Sequence, residues 1–321
     1  MSLFPRKIEH IGWPTAVTAL FISALWGGNV IALKIGLATL PPLWSAFWRF
    51  AVALITVVVY AKAVGIRLRP EPHERQPLGI LALLFSLQIM GLNTGTNATS
   101  PAYAVILLNS HPIFTNLVSH FFVPEDRLSR QRILGLAIAF VGICYLALGR
   151  PDASLAPNPI LGNVIVVVSA MLLAVRMVYT QRLVQTMEPL RPVVWQMGLA
   201  LPVFLATALS LEPVTLKSVT AEPVLAILYQ GAVIGGFCFV AWTRLLRRHS
   251  PGSLSVFGFS VPVFGVVLSA FIFGEAITGR LIAGVAAVTA GIVIVTRRPA
   301  ADSPAETEPA VVEEEVEEVL R

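Results

Sequence analysis

The sequence predicts an all-α integral membrane protein, with ten transmembrane helices in two five-helix inverted repeats and both termini cytoplasmic. Three observations predict it. The composition is too apolar for water. Ten apolar stretches are each long enough to cross a bilayer. One pattern of residues occurs twice, with opposite charge bias around the two copies.

Composition excludes the soluble classes. Of 321 residues, 56% are hydrophobic and 13% charged, and the mean hydropathy is +0.78. Soluble domains carry roughly 25% charged residues, so this chain has too little polar surface to cover an aqueous core. The net charge of +5 would suggest nucleic acid in a soluble protein. Here the Lys and Arg read as loop residues that set membrane orientation, and no nucleic acid is implied. Cys144 and Cys238 both lie in apolar segments, without metal or disulfide spacing. The five histidines form no HExxH-like pattern. No cofactor is called for, and nothing resembles a catalytic constellation.

The apolar stretches fall near 13–35, 41–61, 77–96, 100–123, 130–148, 160–180, 192–212, 223–243, 251–273 and 279–296. Each has the roughly 17–25 residues that a bilayer requires. The first is expected to be a retained helix rather than a signal peptide. Residues 299–321 are Pro-, Ala- and Glu-rich and read as a disordered acidic tail. Basic residues concentrate on one side, as in Arg67, Arg69 and Arg75, or Arg244, Arg247 and Arg248. The opposite side carries Arg150, Lys217 and Arg280. Short basic loops stay in the cytoplasm, which places both termini there.

The repeat joins Ser100–Ala147 to Ser250–Thr296. At an offset of 150, Ser100, Pro101, Ser110, Pro112 and Glu125 meet Ser250, Pro251, Ser260, Pro262 and Glu275. One deletion later, Gly135 and Gly142 meet Gly284 and Gly291. Each copy reads as an apolar helix with a proline inside it, a Glu-containing turn, and a helix with glycines seven apart. Such glycines share a face and let a neighbouring helix approach closely. The proline kinks its helix and frees a carbonyl that lipid cannot satisfy. At an offset of 147, Trp48 meets Trp195 and Asn29 meets Arg176. Five spans is an odd number, so similar halves enter the membrane in opposite senses. The charges agree: the turn after the first copy's proline helix is Arg-rich, and so is the loop before the second copy's. The halves are expected at 1–149 and 150–298. Inverted repeats place a binding site at their interface near the midplane.

The chain resembles the EamA family of the drug/metabolite transporter superfamily over about residues 13–298. The residues that carry the resemblance are LWGGNVIALKIGL at 25–37, PPLWSAFWR at 41–49, and the two Pro…Glu…Gly…Gly units. The resemblance implies a ten-helix carrier in the inner membrane that exports amino acids or other small metabolites. It leaves the substrate open.

All eighteen acidic residues fall in loops, turns or tails by sequence. A buried carboxylate is therefore not expected, unlike the small multidrug exporters of the same superfamily, which use a membrane Glu. Basic residues do enter the spans. Arg49 is expected to be structural, and Arg176 is a candidate for a substrate carboxylate. The other candidate substrate-binding residues are Trp26, Asn29, Gln88, Asn109, His111, Tyr179, Gln230, Trp242 and Ser260. Buried amides line a wet cavity more readily than lipid, and His111 could couple transport to protons, although a neutral, bonded histidine is the preferred reading. Pro112 and Pro262 are the candidate gating kinks.

The expected function is secondary transport of small polar metabolites, amino acids above all, outward across the inner membrane by alternating access. The alternatives are an organic-phosphate or nucleotide-sugar exchanger, and a membrane scaffold or receptor. The expected partners are a small-molecule substrate, an amino acid or related metabolite, and the lipid bilayer. A monomer is left open.

Overall fold

Proline, glycine and acidic caps decide where the helices begin and end. In a computed structural model the described residues are 12–122, 130–149, 154–213, 220–248, 257–258 and 260–296. The helices are α1 (Trp13–Leu37), α2 (Pro42–Ala63), α3 (Arg75–Ala98), α4 (Pro101–Leu108), α5 (His111–Phe122), α6 (Arg130–Ala147), α7 (Pro159–Thr186), α8 (Leu190–Leu211), α9 (Ala221–Leu228), α10 (Phe239–Arg248), α11 (Ser260–Phe273) and α12 (Gly279–Thr296). A π-helical segment, Tyr229–Cys238, joins α9 to α10. Proline occupies the first turn of α1, α2, α4 and α7, where its missing N–H costs nothing. Gly65 and Gly274 follow helices with φ of 72° and 64°, in the left-handed region that glycine tolerates. The Glu212 carboxylate, distant in sequence, accepts from the N–H groups of Leu43 (2.9 Å) and Trp44 (3.1 Å) and caps α2.

Among the described residues six stretches are long and apolar enough to cross a membrane: Trp13–Leu37, Pro42–Ala63, Pro72–Ala98, Pro159–Val184, Leu190–Leu211 and Ala221–Leu245. Shorter apolar helices cover Ile133–Leu146, Ser260–Phe273 and Gly279–Gly291. Large apolar side chains point outward: Phe271 is 88% exposed, Val141 66% and Ile55 64%. Exposure on that scale suits hydrocarbon as the solvent. The acidic tail at 299–321 lies outside the described residues.

One predicted helix is divided. The stretch at 100–123 forms α4 and α5, separated by Asn109 and Ser110. Pro112 has no N–H to return to the preceding turn, so the helix restarts instead of bending. The Ser110 hydroxyl donates to Leu107 O at 2.6 Å. Ser260 repeats the device, donating to Phe257 O at 2.6 Å two residues before Pro262.

The helices pack in pairs. α6 lies on α12, α3 on α7, α1 on α9 and α11, α2 on the π-helical segment and α8, α3 on α8, and α4 on α11 and α7. Several interfaces depend on glycine. A Cβ on Gly142 would stand 2.8 Å from the Ala287 Cβ, and one on Gly95 2.8 Å from Val166 Cγ2. The α6–α12 contact fulfils the expectation drawn from glycines seven apart. One apolar core joins residues of α4, α5, α6, α7 and α12, and a second joins α2, α3, α8 and α10 around Phe50, Phe85 and Phe204.

The acidic residues differ from expectation. Glu275 and Glu74 are buried, at 7% and 2% exposed. Glu275 follows α11 in a turn and Glu74 flanks α3 in a short 3-10 helix, Pro72–Glu74, both outside the spans as read from sequence. Glu275 accepts from the Ser100 hydroxyl, from Ala102 N–H (3.2 Å) and from the Ser269 hydroxyl (2.6 Å), and so caps α4 from the end of α11. Glu74 accepts from Arg191 Nη1 at 2.8 Å.

Candidate functional site

Two arginines stand against one aromatic pair, one at each ring. Phe50 and Phe85 meet edge to face with centroids 4.7 Å apart. The Arg49 guanidinium carbon lies 4.4 Å from the Phe50 centroid, and that of Arg176 lies 5.3 Å from the Phe85 centroid. Arg49 projects from α2 and is buried, while Arg176 projects from α7 and is half-buried. Each is held by one neutral amide. Arg49 Nη1 donates to Gln230 Oε1 at 2.9 Å, and Arg176 Nη1 donates to Gln196 Oε1 at 3.1 Å. The Nε of Arg176 is buried without a partner. Among the described residues no carboxylate lies within ion-pair distance of either guanidinium.

Unpaired buried cations are costly, and real structures pair them or give them a ligand. A guanidinium has five N–H donors, and one on each arginine is used in the bonds above. The arrangement can therefore accept an anion through charge-assisted, bidentate hydrogen bonds.

The other candidates fall at several places in the bundle. His111 opens α5, which packs on α7, the helix that carries Arg176. Its Nδ1 is buried without a partner. Tyr179 follows Arg176 by one turn of α7 and is half-buried. Asn29 Oδ1 is also buried without a partner. Asn109 Nδ2 donates to Val105 O at 2.8 Å in the break between α4 and α5. Gln230 is fully engaged, receiving Arg49 and donating its Nε2 to Ala226 O at 3.2 Å. Gln88 clasps α3 to α7: its Nε2 donates to Ser169 Oγ at 3.2 Å, and that hydroxyl donates to Gln88 O at 2.7 Å. Trp26 and Trp242 lie apart from the arginines as an edge-to-face pair, 4.8 Å between centroids, beside Ile22, Ile234 and Cys238.

Sequence reasoning missed Gln196 and the Arg49–Gln230 pair. A signal was present, because Arg49 and Gln196 coincide at the 147-residue offset. Asn29 and Arg176 coincide at the same offset. The two halves thus carry Asn with Arg and Arg with Gln at matched positions. A cavity of about 590 Å³ opens between α1, α9 and α11, lined mostly by apolar residues such as Ile31, Leu225 and Leu268, with Tyr229 and Glu222 as its polar members. It contains none of the candidates.

A family model, the EamA-like transporter family, matches residues 13–148 and again 160–297. Two matches spanning most of the chain define its class: the protein belongs to the EamA-like transporter family and is a multi-pass transporter of the inner membrane. Among individual relatives, it is 27% identical to the "Probable amino-acid metabolite efflux pump" of Salmonella typhimurium, over 86% of this chain and 92% of that one. It is 26% identical to the inner membrane transporter YedA of Escherichia coli K12, over 88% and 92%, and 22% identical to the transporter YoaV of Bacillus subtilis, over 84% and 92%. A solved crystal structure, 20% identical, superposes with a TM-score of 0.65 over 89% of this chain and 97% of that chain, and so shares the fold.

Proposed function

We propose that the protein is a secondary transporter that exports amino acids or closely related metabolites by alternating access. Two inverted five-helix halves, about 1–149 and 150–298, rock around a site at the bundle centre. The observation that carries the substrate reading is Arg176: half-buried, bonded among the described residues to the neutral Gln196, and with an orphaned Nε. A substrate carboxylate supplies what that guanidinium lacks. The Salmonella relative, described as a probable amino-acid metabolite efflux pump, supports the same class of compound.

Several features support the repeat. Numbering ten spans in order, with α4–α5 as the fourth and α9–α10 as the eighth, the main packing pairs survive exchange of the halves. The contact of α3 on α7 has its counterpart in α9 on α1, α2 on the π-helical segment in α8 on α3, and α1 on α11 in α7 on α4–α5. The α6–α12 pair maps on itself. The family model matches once per half. Ser110 and Pro112 reproduce the local bonding of Ser260 and Pro262, which suits a hinge in each half.

In this reading Arg176 anchors the carboxylate, Asn29 and Asn109 give hydrogen bonds, and His111 and Tyr179 line the path. Gln230 and Gln88 act by holding Arg49 and α7. The test is uptake of labelled amino acids into proteoliposomes, with and without a pH gradient. Saturable uptake that falls at least tenfold in Arg176→Ala, with the thermal unfolding temperature retained, is the expected result. Equal uptake by well-folded Arg176→Ala refutes the assignment.

A further inference from the structure

We propose that Arg49 and Arg176 together form one anion site, and that the transported molecule carries two carboxylates and a net negative charge. The inference deepens the function proposed above and rests on it.

Charge balance carries the argument. Both guanidiniums stand against the same Phe50–Phe85 pair, one at each ring. Contact with a ring offsets part of a cation's charge without consuming its N–H donors. Each arginine has one amide acceptor, so most donors on both remain for a ligand. A zwitterionic amino acid answers one arginine and brings a new cation into the field of the other. Its ammonium then needs a carboxylate. The buried carboxylates among the described residues are committed at helix ends: Glu275 to Ser100, Ala102 and Ser269, and Glu74 to Arg191. Two carboxylates on one small molecule satisfy both arginines and leave no orphaned charge.

The segment that holds Arg49 is unusual in form. Gln230, the partner of Arg49, lies in the π-helical segment, a rare geometry that concentrates at functional positions. Glycines 231, 235 and 236 bring that segment against Val52, Ala53 and Thr56 of α2.

The experiment uses the purified full chain in detergent, with ligand-induced shifts in thermal unfolding read against concentration. The probes at neutral pH are L-glutamate, 2-oxoglutarate, L-leucine, L-lysine and glycerol 3-phosphate. 2-Oxoglutarate should stabilise the protein saturably and more tightly than L-glutamate, whose ammonium brings back one unpaired cation, and leucine and lysine should not stabilise it at the same concentrations. Arg49→Gln and Arg176→Gln should each weaken dicarboxylate binding at least tenfold. Arg49→Lys, which keeps the charge but loses the bidentate fork, serves if Arg49→Gln does not fold, and should also weaken binding. Leucine binding as tightly as glutamate overturns the proposal and leaves the amino-acid carrier intact. Unchanged dicarboxylate binding in the folded Arg49 variant removes Arg49 from the site. Preferential binding of glycerol 3-phosphate, or no binding of either dicarboxylate, overturns the substrate class. Counterflow of labelled amino acids in proteoliposomes then separates that failure from failure of the carrier reading.

Discussion

At the scale of single residues, burial is decided by what a turn folds onto. Glu275 belongs to the turn after α11, yet its carboxylate closes over the start of α4 and joins two parts of the chain far apart in sequence. Lys34 works beside it, donating to the Thr96, Asn97 and Thr99 carbonyls at 3.1, 3.2 and 2.8 Å and capping α3. Asn163 completes this end of the bundle, bonded to Thr99 Oγ1 at 2.6 Å and donating to Gly149 O at 3.2 Å. Removing Glu275 leaves buried donors unsatisfied, at about 1–3 kcal/mol for each. Glu275→Ala is therefore expected to lower stability by about 2–4 kcal/mol, read from thermal unfolding in detergent. Glu275→Gln keeps an acceptor for Ser100 or Ser269 and should lose less. A cycle with Ser100→Ala should return a coupling of about 1 kcal/mol or more, and additivity would show that the contact contributes nothing. The sequence marked Glu275 through its match to Glu125 and placed it correctly in a turn. Its burial was not legible, because turn position says nothing about which distant helix end the turn covers. Arg176 was legible because lipid refuses a lone cation anywhere along a span. Gln196 was not, since an amide in an apolar helix is common without a partner in view.

At the scale of elements, periodicity and proline were readable, and the form of the interruption was not. Glycines seven apart foretold the α6–α12 contact because a missing Cβ is a property of sequence alone. A Cβ on Gly142 meets the Ala287 Cβ at 2.8 Å, where ordinary contacts need more room. Gly142→Val is expected to cost about 1–3 kcal/mol through overpacking. Gly79 in α3 has nothing within 4 Å of an added Cβ, so Gly79→Ala should leave thermal unfolding unchanged or raised. If both variants unfold alike, close packing at Gly142 does not hold the two helices together. Proline at 112 was read as a kink, and the chain forms two helices with a two-residue break. The residues on either side decide that outcome: Asn109 and Ser110 both return side-chain bonds to the preceding turn, and so satisfy carbonyls that a continuous helix would need. The π-helical stretch at Tyr229–Cys238 left no such mark, because register in a helix is set by the partner surface of α2 and not by local propensity.

At the scale of the molecule, the halves and the membrane constrain each other. If residues 1–149 and 150–298 insert in opposite senses, equivalent loops of the two halves face opposite sides of the membrane. The basic residues then separate by side, as in Arg67, Arg69 and Arg75 against Lys217. The native thiols are few, Cys144 half-buried and Cys238 buried, so both can be changed to alanine to give a blank background for labelling. In that background a cysteine at position 67, between α2 and α3, should resist a membrane-impermeant maleimide added to whole cells and react once the membrane is opened. A cysteine at position 217, in the connection between α8 and α9, should react in whole cells. Those loops lead out of the second and seventh spans, equivalent elements of the two halves, so opposite accessibility is the direct signature of inversion. Equal accessibility would make the halves parallel. The exchange of packing partners between α3–α7 and α9–α1 would then need a different explanation, and so would alternating access about a shared centre.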